Sequence, residues 1–142
     1  MKYHFRFHPE DGGYWAECIE ISGCLTQGDT WEELEFNMRE ALDLTLDEPA
    51  DSKEIFPKPK KGLKGRRIVE VPVSPKVALA ARLRMARLAR GLTQKKAAQL
   101  MGMRGLYSYQ RLESSKTANP EFETLNRLKK VFPEISVDSL FS

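Results

Sequence analysis

Between positions 94 and 116 the chain collects side chains suited to holding and reading a nucleic acid. Gln110 and Arg111 carry an amide and a guanidinium fork, which form paired hydrogen bonds with adenine and guanine edges. Leu106 and Tyr107 offer apolar contact to a thymine methyl, and Ser108 adds a hydroxyl. Lys95, Lys96, Arg104 and Lys116 are cations suited to phosphate oxygens, which position a protein on a duplex without reading it. Gln94, at the start of a helix, places its amide and the helix N-terminus near a phosphate.

These side chains need short helices at fixed offsets. Ser74-Pro75 is a helix start, with Ser as N-cap and Pro at the first helical position. Val77, Ala80, Leu83, Ala86 or Arg87, and Leu88 form its apolar stripe, and Gly91 closes it. Thr93 caps a second helix, Gln94 to Met101, which Gly102 terminates. Met103-Arg104-Gly105 turns into a third, Leu106 to Glu113, with Tyr109 facing inward. Asn119-Pro120 opens a fourth, whose apolar stripe is Phe122, Leu125, Leu128 and Val131-Phe132. Two short helices joined by a Gly-containing turn are the helix-turn-helix pattern.

The first half reads differently. Tyr3 to His8 alternates aromatic and polar residues, the period of a half-buried strand. Pro9 to Gly13 is turn chemistry, with Gly12 and Gly13 free to take positive φ. Tyr14–Ile19 and Cys24–Gln27 follow as strands, the latter ending at Gly28. Thr30 and Glu33 make a capping box for a helix of about 17 residues whose stripe runs through Trp31, Leu34, Met38, Ala41 and Leu42. Its other face carries Glu32, Glu35, Asp43, Asp47 and Glu48, and Pro49 ends it. Asp51–Arg67 is an irregular connection in which six of the ten residues 58–67 are basic. Ile68–Val71 returns as a further strand. The expected fold is therefore an α+β domain over residues 1–73, with three or four antiparallel strands, one helix and the basic loop 51–67, followed by an all-α helix-turn-helix domain over 74–142.

Two resemblances agree with this division. Gly12-Gly13-Tyr14-Trp15, Leu25-Thr26-Gln27-Gly28-Asp29-Thr30, Ala41-Leu42 and Ile68-Val69-Glu70-Val71-Pro72 resemble the HicB family of antitoxins. Gly91-Leu92-Thr93-Gln94, Ala97 to Gly102, Arg111-Leu112-Glu113, Asn119-Pro120 and Thr124-Leu125 resemble the phage-repressor (Xre-like) helix-turn-helix class. Between Gly102 and Leu112-Glu113 the chain is one residue longer than that pattern, which leaves the start of the recognition helix open by one position, and with it which side chains reach the bases. The resemblance implies a partial ribonuclease H fold for the first domain and a HicA-like, RNA-cleaving toxin as its partner. It implies that operator DNA is bound by the second domain, so that the protein is the antitoxin of a type II pair and represses its own operon. The carboxylates Glu32, Glu35, Asp43 and Asp47, with Trp15 and Glu17 of the hairpin, are the residues assigned to the toxin.

A nuclease reading fails on its acids. A two-metal site gathers several carboxylates, yet the middle of the first strand holds Phe5, Arg6 and Phe7, and Glu17 and Glu20 join no converging set. No Ser-His-Asp or Cys-His arrangement and no phosphate loop stands out, so no catalytic residue is assigned and the protein is read as no enzyme. Cys18 and Cys24 read as reduced thiols. His4 and His8, about 13 Å apart on an extended strand, are too far apart to share a metal. Neither metal nor cofactor is expected.

Charge carries the same division. Residues 1–50 hold 3 basic and 12 acidic side chains, a balance of −9, and residues 51–142 hold 20 and 8, a balance of +12. With the boundary at Ser74 the halves stand at −5 and +8. An acid surface attracts a cationic protein and a basic one attracts nucleic acid. Two small domains favour a homodimer or homotetramer. No run nears the roughly 20 apolar residues of a membrane span and no signal core opens the chain, which points to the cytoplasm, with nucleoid association when DNA is bound. The competing reading is a solitary regulator whose first domain senses a ligand or oligomerises.

Overall fold

The computed structural model describes residues 1–49 and 51–141. It divides into two units, one of Met1–Leu46 with Phe56–Ser74 and one of Asp47–Ile55 with Pro75–Phe141. An antiparallel sheet with one helix is followed by a helical region, as the sequence patterns predict.

In the first unit β1 (Lys2–Glu10), β2 (Gly13–Cys18), β3 (Leu25–Gly28) and β4 (Ile68–Pro72) form one sheet in the order β3-β2-β1-β4. The β1–β2 turn is Asp11-Gly12, with φ of 45° and 80°. A two-residue hairpin of this type needs positive φ at both positions. The left-handed pair is thus Asp11 and Gly12, not Gly12 and Gly13.

Helix α1 (Trp31–Leu46) covers one face of the sheet. Thr30 Oγ1 accepts from the Glu33 N–H at 3.1 Å, while the Glu33 carboxylate accepts from the Asp29 N–H at 3.2 Å, one residue upstream of the usual capping box. Leu34, Met38, Leu42 and Leu46 are buried along its inner stripe. Tyr3 and Phe5 are fully buried on the sheet, and Trp31 meets Phe7 and Tyr14 edge-on at 4.9 and 5.9 Å between ring centres. Gly28 lies where β3 crosses the first turn of α1. A Cβ there would stand 2.6 Å from the Leu34 nitrogen and 2.9 Å from its Cα. Both are backbone atoms that cannot swing aside, so Gly28→Ala should destabilise the fold by about 1–3 kcal/mol, read by denaturant unfolding. A loss within 0.5 kcal/mol would show that strand and helix separate at no cost.

Strand alternation breaks once. His4 points away from α1 yet is only 2% exposed. Glu20 accepts from the His4 N–H at 2.9 Å, and its other oxygen lies 2.8 Å from His4 Nδ1. Burial pushes the Glu20 carboxyl up, but the hydrogen bonds from His4 and from the Lys60 N–H more than offset this and hold it below the usual carboxylate range. Cys18 and Cys24 are free and buried. Cys18 Sγ donates to the Glu20 carboxylate at 3.8 Å, and the neighbouring Cys24 side chain together with burial pushes the Cys18 thiol well above the ordinary range.

The second unit holds α2 (Pro75–Ala89), α3 (Gln94–Leu100), α4 (Leu106–Gln110), α5 (Phe122–Val131) and a 3₁₀ turn, Asp138–Leu140. Two expectations are corrected. The third helix of this domain stops at Gln110, and Arg111–Glu113 is a turn. The last helix starts at Phe122 rather than at Asn119-Pro120, with Glu121 as its N-cap in an extended conformation. Phe122 therefore sits in the first turn and is 88% exposed, outside the apolar stripe, while Leu128 and Phe132 are buried.

Candidate nucleic-acid interface

Local chemistry sets the two helices of the reading motif. Thr93 Oγ1 accepts from the Lys96 N–H at 3.1 Å and starts α3. Gly102, at φ 66°, ends it: its N–H donates to the Gln99 carbonyl and the Met103 N–H to the Ala98 carbonyl, both at 3.0 Å. That paired closure is the left-handed glycine stop. Gly105 then enters α4 in an extended conformation without a side-chain cap.

A buried ion pair fixes both ends of the motif. Arg87 Nε donates to one Glu113 oxygen at 2.7 Å and Nη2 to the other at 3.1 Å, and Nη1 donates to the Leu92 carbonyl at 2.9 Å. The Glu113 side chain has no exposed surface and that of Arg87 has 7%. Burial pulls the Arg87 guanidinium down, but Glu113 more than compensates and its pKa is raised. The network reaches the surface. Gln94 Nε2 donates to Glu113 at 3.4 Å and Gln110 Nε2 donates to Gln94 Oε1 at 3.0 Å. A chain of hydrogen bonds thus runs from the end of α2 to the facing amides of α3 and α4. Sequence analysis missed this pair. The signal was an arginine on the apolar stripe of α2 and an acid beside Leu112. It also missed Arg84, which is 1% exposed with Nε and Nη2 lacking hydrogen-bond partners among the described residues.

Lys95, Lys96, Arg104, Leu106, Tyr107, Ser108, Arg111 and Lys116 are all exposed. Leu106, Tyr107 and Ser108 occupy the first turn of α4, the part of a recognition helix that enters the major groove. The Arg111 guanidinium lies over the Tyr107 ring, 5.9 Å from its centre, a contact that restricts the arginine before any base is met. Gln94 and Gln110 are half-buried, and one Gln110 amide N–H is committed to Gln94. Tyr109 is fully buried and burial pushes its phenol up.

The residues assigned to a protein partner do not form one surface. Tyr14, Ala16 and Cys18 pair with Pro9, Phe7 and Phe5 on the face toward α1, so Trp15 and Glu17 lie on the opposite face of the sheet from the helix. Trp15 is half-buried, stacked on His8 at 4.1 Å, and Glu17 is 3.4 Å from His8 Nε2. Glu32 and Glu35 stand exposed on α1. Asp43 instead accepts from the Ser74 N–H at 3.0 Å, and Asp47, beyond the end of α1, accepts from Ser115 Oγ at 2.6 Å. The helical period placed these acids on one face but could not show that two of them serve the chain itself. Among the described residues no group of three His, Cys, Asp or Glu is arranged to hold a metal ion.

Residues 78–132 match the family described as a helix-turn-helix domain. This is a DNA-binding module, and it covers α3, α4 and the buried pair. The chain is also similar to two UPF0150 proteins of Synechocystis sp. It is 46% identical to ssl0738 over 39 residues, which cover 28% of this chain and 54% of that protein. It is 38% identical to ssr1765 over 55 residues, which cover 34% of this chain and 70% of that protein. The chain belongs to the UPF0150 family. It spans about half the length of the first of these relatives. This UPF0150 member thus carries a DNA-binding module. No helix among the described residues is long and apolar enough to cross a membrane.

One charge on this surface gives a direct test. Lys95→Ala should lower the salt dependence of duplex binding by about one unit of slope in log K against log salt. A slope that does not move between low and moderate salt would remove Lys95 from the phosphate contacts.

Proposed function

We propose that the protein is the antitoxin of a type II toxin–antitoxin pair and the repressor of its own operon. The observation that carries the DNA half is the exposed first turn of α4, set by the Arg87–Glu113 network inside a helix-turn-helix domain. The resemblance of the first half to HicB antitoxins carries the rest. Residues 1–73 bind and neutralise a HicA-like RNA-cleaving toxin, and residues 74–142 bind operator DNA. The toxin-facing charge is that of Glu32 and Glu35, whose exposed carboxylates suit a cationic partner. Trp15 and Glu17 form a separate patch on the other side of the sheet. A homodimer or homotetramer presents two recognition helices to half-sites about 34–36 Å apart. The protein acts by binding and not by catalysis.

Co-expression with the small reading frame beside its gene tests this. The two proteins are expected to co-purify, and growth arrested by the small protein is expected to recover. Arrest that this protein fails to relieve would sink the antitoxin reading and leave a solitary regulator.

A further inference from the structure

The basic connection is held in place through its backbone. Tyr3 Oη donates to the Pro57 carbonyl at 2.8 Å. The Lys60 N–H donates to the buried Glu20 carboxylate at 3.1 Å. The Ile68 N–H donates to the Gly65 carbonyl at 3.3 Å and the Phe7 N–H to the Arg67 carbonyl at 2.9 Å. These bonds use main-chain groups of the strap and leave its charged ends alone. Lys58, Lys60, Lys61, Lys64, Arg66 and Arg67 are all exposed, and among the described residues none of them is in an ion pair.

Arg67 adds a second sign. Its φ is 66°, in the left-handed region, where a glycine would sit without strain. An arginine held there retains a charge against its backbone preference. A loop that is basic only for solubility needs neither a buried carboxylate to anchor it nor a strained arginine. Self-repulsion among six clustered cations also opposes the arrangement until an anion arrives.

We propose that this strap is a second polyanion site, which takes the phosphate backbone of double-stranded DNA without reading its sequence. The proposal rests on the DNA-binding reading above. Residues 58–67 contain no aromatic side chain, so they offer no platform on which unpaired bases stack. Their one large apolar residue, Leu63, is half-buried, so no wedge is presented to a lipid surface. A duplex already held by the helix-turn-helix domain of the same chain is at high effective concentration for a second basic surface.

The test uses the full chain and a 30-base-pair duplex (about three helical turns) of unrelated sequence, titrated over a range of salt. Replacing Lys58, Lys60, Lys61 and Lys64 together by Gln is expected to lower the salt slope by about two to four units, with melting at or above the wild-type temperature as their mutual repulsion is relieved. Arg67→Gly is expected to lower the slope by about one while raising the melting temperature by roughly 2–5 °C. A four-Gln variant with the wild-type slope and affinity would overturn the proposal. So would tighter strap-dependent binding to single-stranded RNA than to the duplex. The parent reading fails separately. If replacing Lys95, Lys96 and Arg104 together by Gln leaves the salt slope on this duplex at the wild-type value while the four-Gln strap change abolishes binding, the strap stands and the helix-turn-helix assignment falls.

Discussion

Glu113→Ala is expected to cost about 3–5 kcal/mol of stability, the largest loss of any single change considered for this chain. The substitution leaves the Arg87 guanidinium in a site with 7% of its side chain exposed and, among the described residues, with the Leu92 carbonyl as its remaining acceptor. A domain of this size has only about 3–10 kcal/mol to lose. Gln94 also loses its hydrogen bond to Glu113, so the Gln94–Gln110 pair that joins α3 to α4 loses its link to the end of α2. Urea unfolding of the full chain, followed through the helical signal, measures the effect. Arg87→Met combined with Glu113→Leu should recover most of it, because removing both charges removes the desolvation that each imposes. A single-variant loss below about 1 kcal/mol would mean that water reaches the pair and that it does not hold the motif together.

Arg111→Ala is the second large effect, expected on binding rather than on folding. Arg111 is exposed and its guanidinium rests on Tyr107. Its removal should weaken operator binding by about 1–3 kcal/mol, or roughly 5- to 150-fold, and relax selectivity at one base position. Arg111→Lys should not restore selectivity, since an ammonium has neither the planar fork nor the stacking face of a guanidinium. The readout is a gel-shift titration on a duplex selected from random sequence by the full chain. Equal affinities for wild type and variant would take Arg111 off the base-reading surface.

Much of the architecture was legible because it depends on neighbours in sequence. Thr30, Thr93 and Gly102 act within four residues of where they stand, and each starts or stops its helix as its chemistry demands. The same locality explains the errors. Asn119-Pro120 looks like a helix start, but the chain stays extended through Glu121 and leaves Phe122 in solvent. His4 looks like the outer residue of a half-buried strand until Glu20, sixteen positions away, closes over it. The acid face of α1 was legible as a pattern, whereas the capture of Asp43 by Ser74 and of Asp47 by Ser115 depends on segments 31 and 68 positions distant. The Tyr107–Arg111 stack lay within reach of reasoning, the two being four residues apart on the helix expected over Leu106 to Glu113.

The sheet order has a consequence in time. β1 is flanked by β2 on one side and by β4 on the other, so Lys2 faces Pro72 across the ladder. On a ribosome adding about 5–20 residues per second, the first strand waits on the order of 4–14 s for its second neighbour to be made. Until then one edge of β1 has open N–H and C=O groups, the state in which strands add to foreign strands. The acid layer is therefore a late product of its own synthesis, finished only when the segment just before α2 arrives. A chain cut short within the strap has the acids of α1 but no completed sheet beneath them.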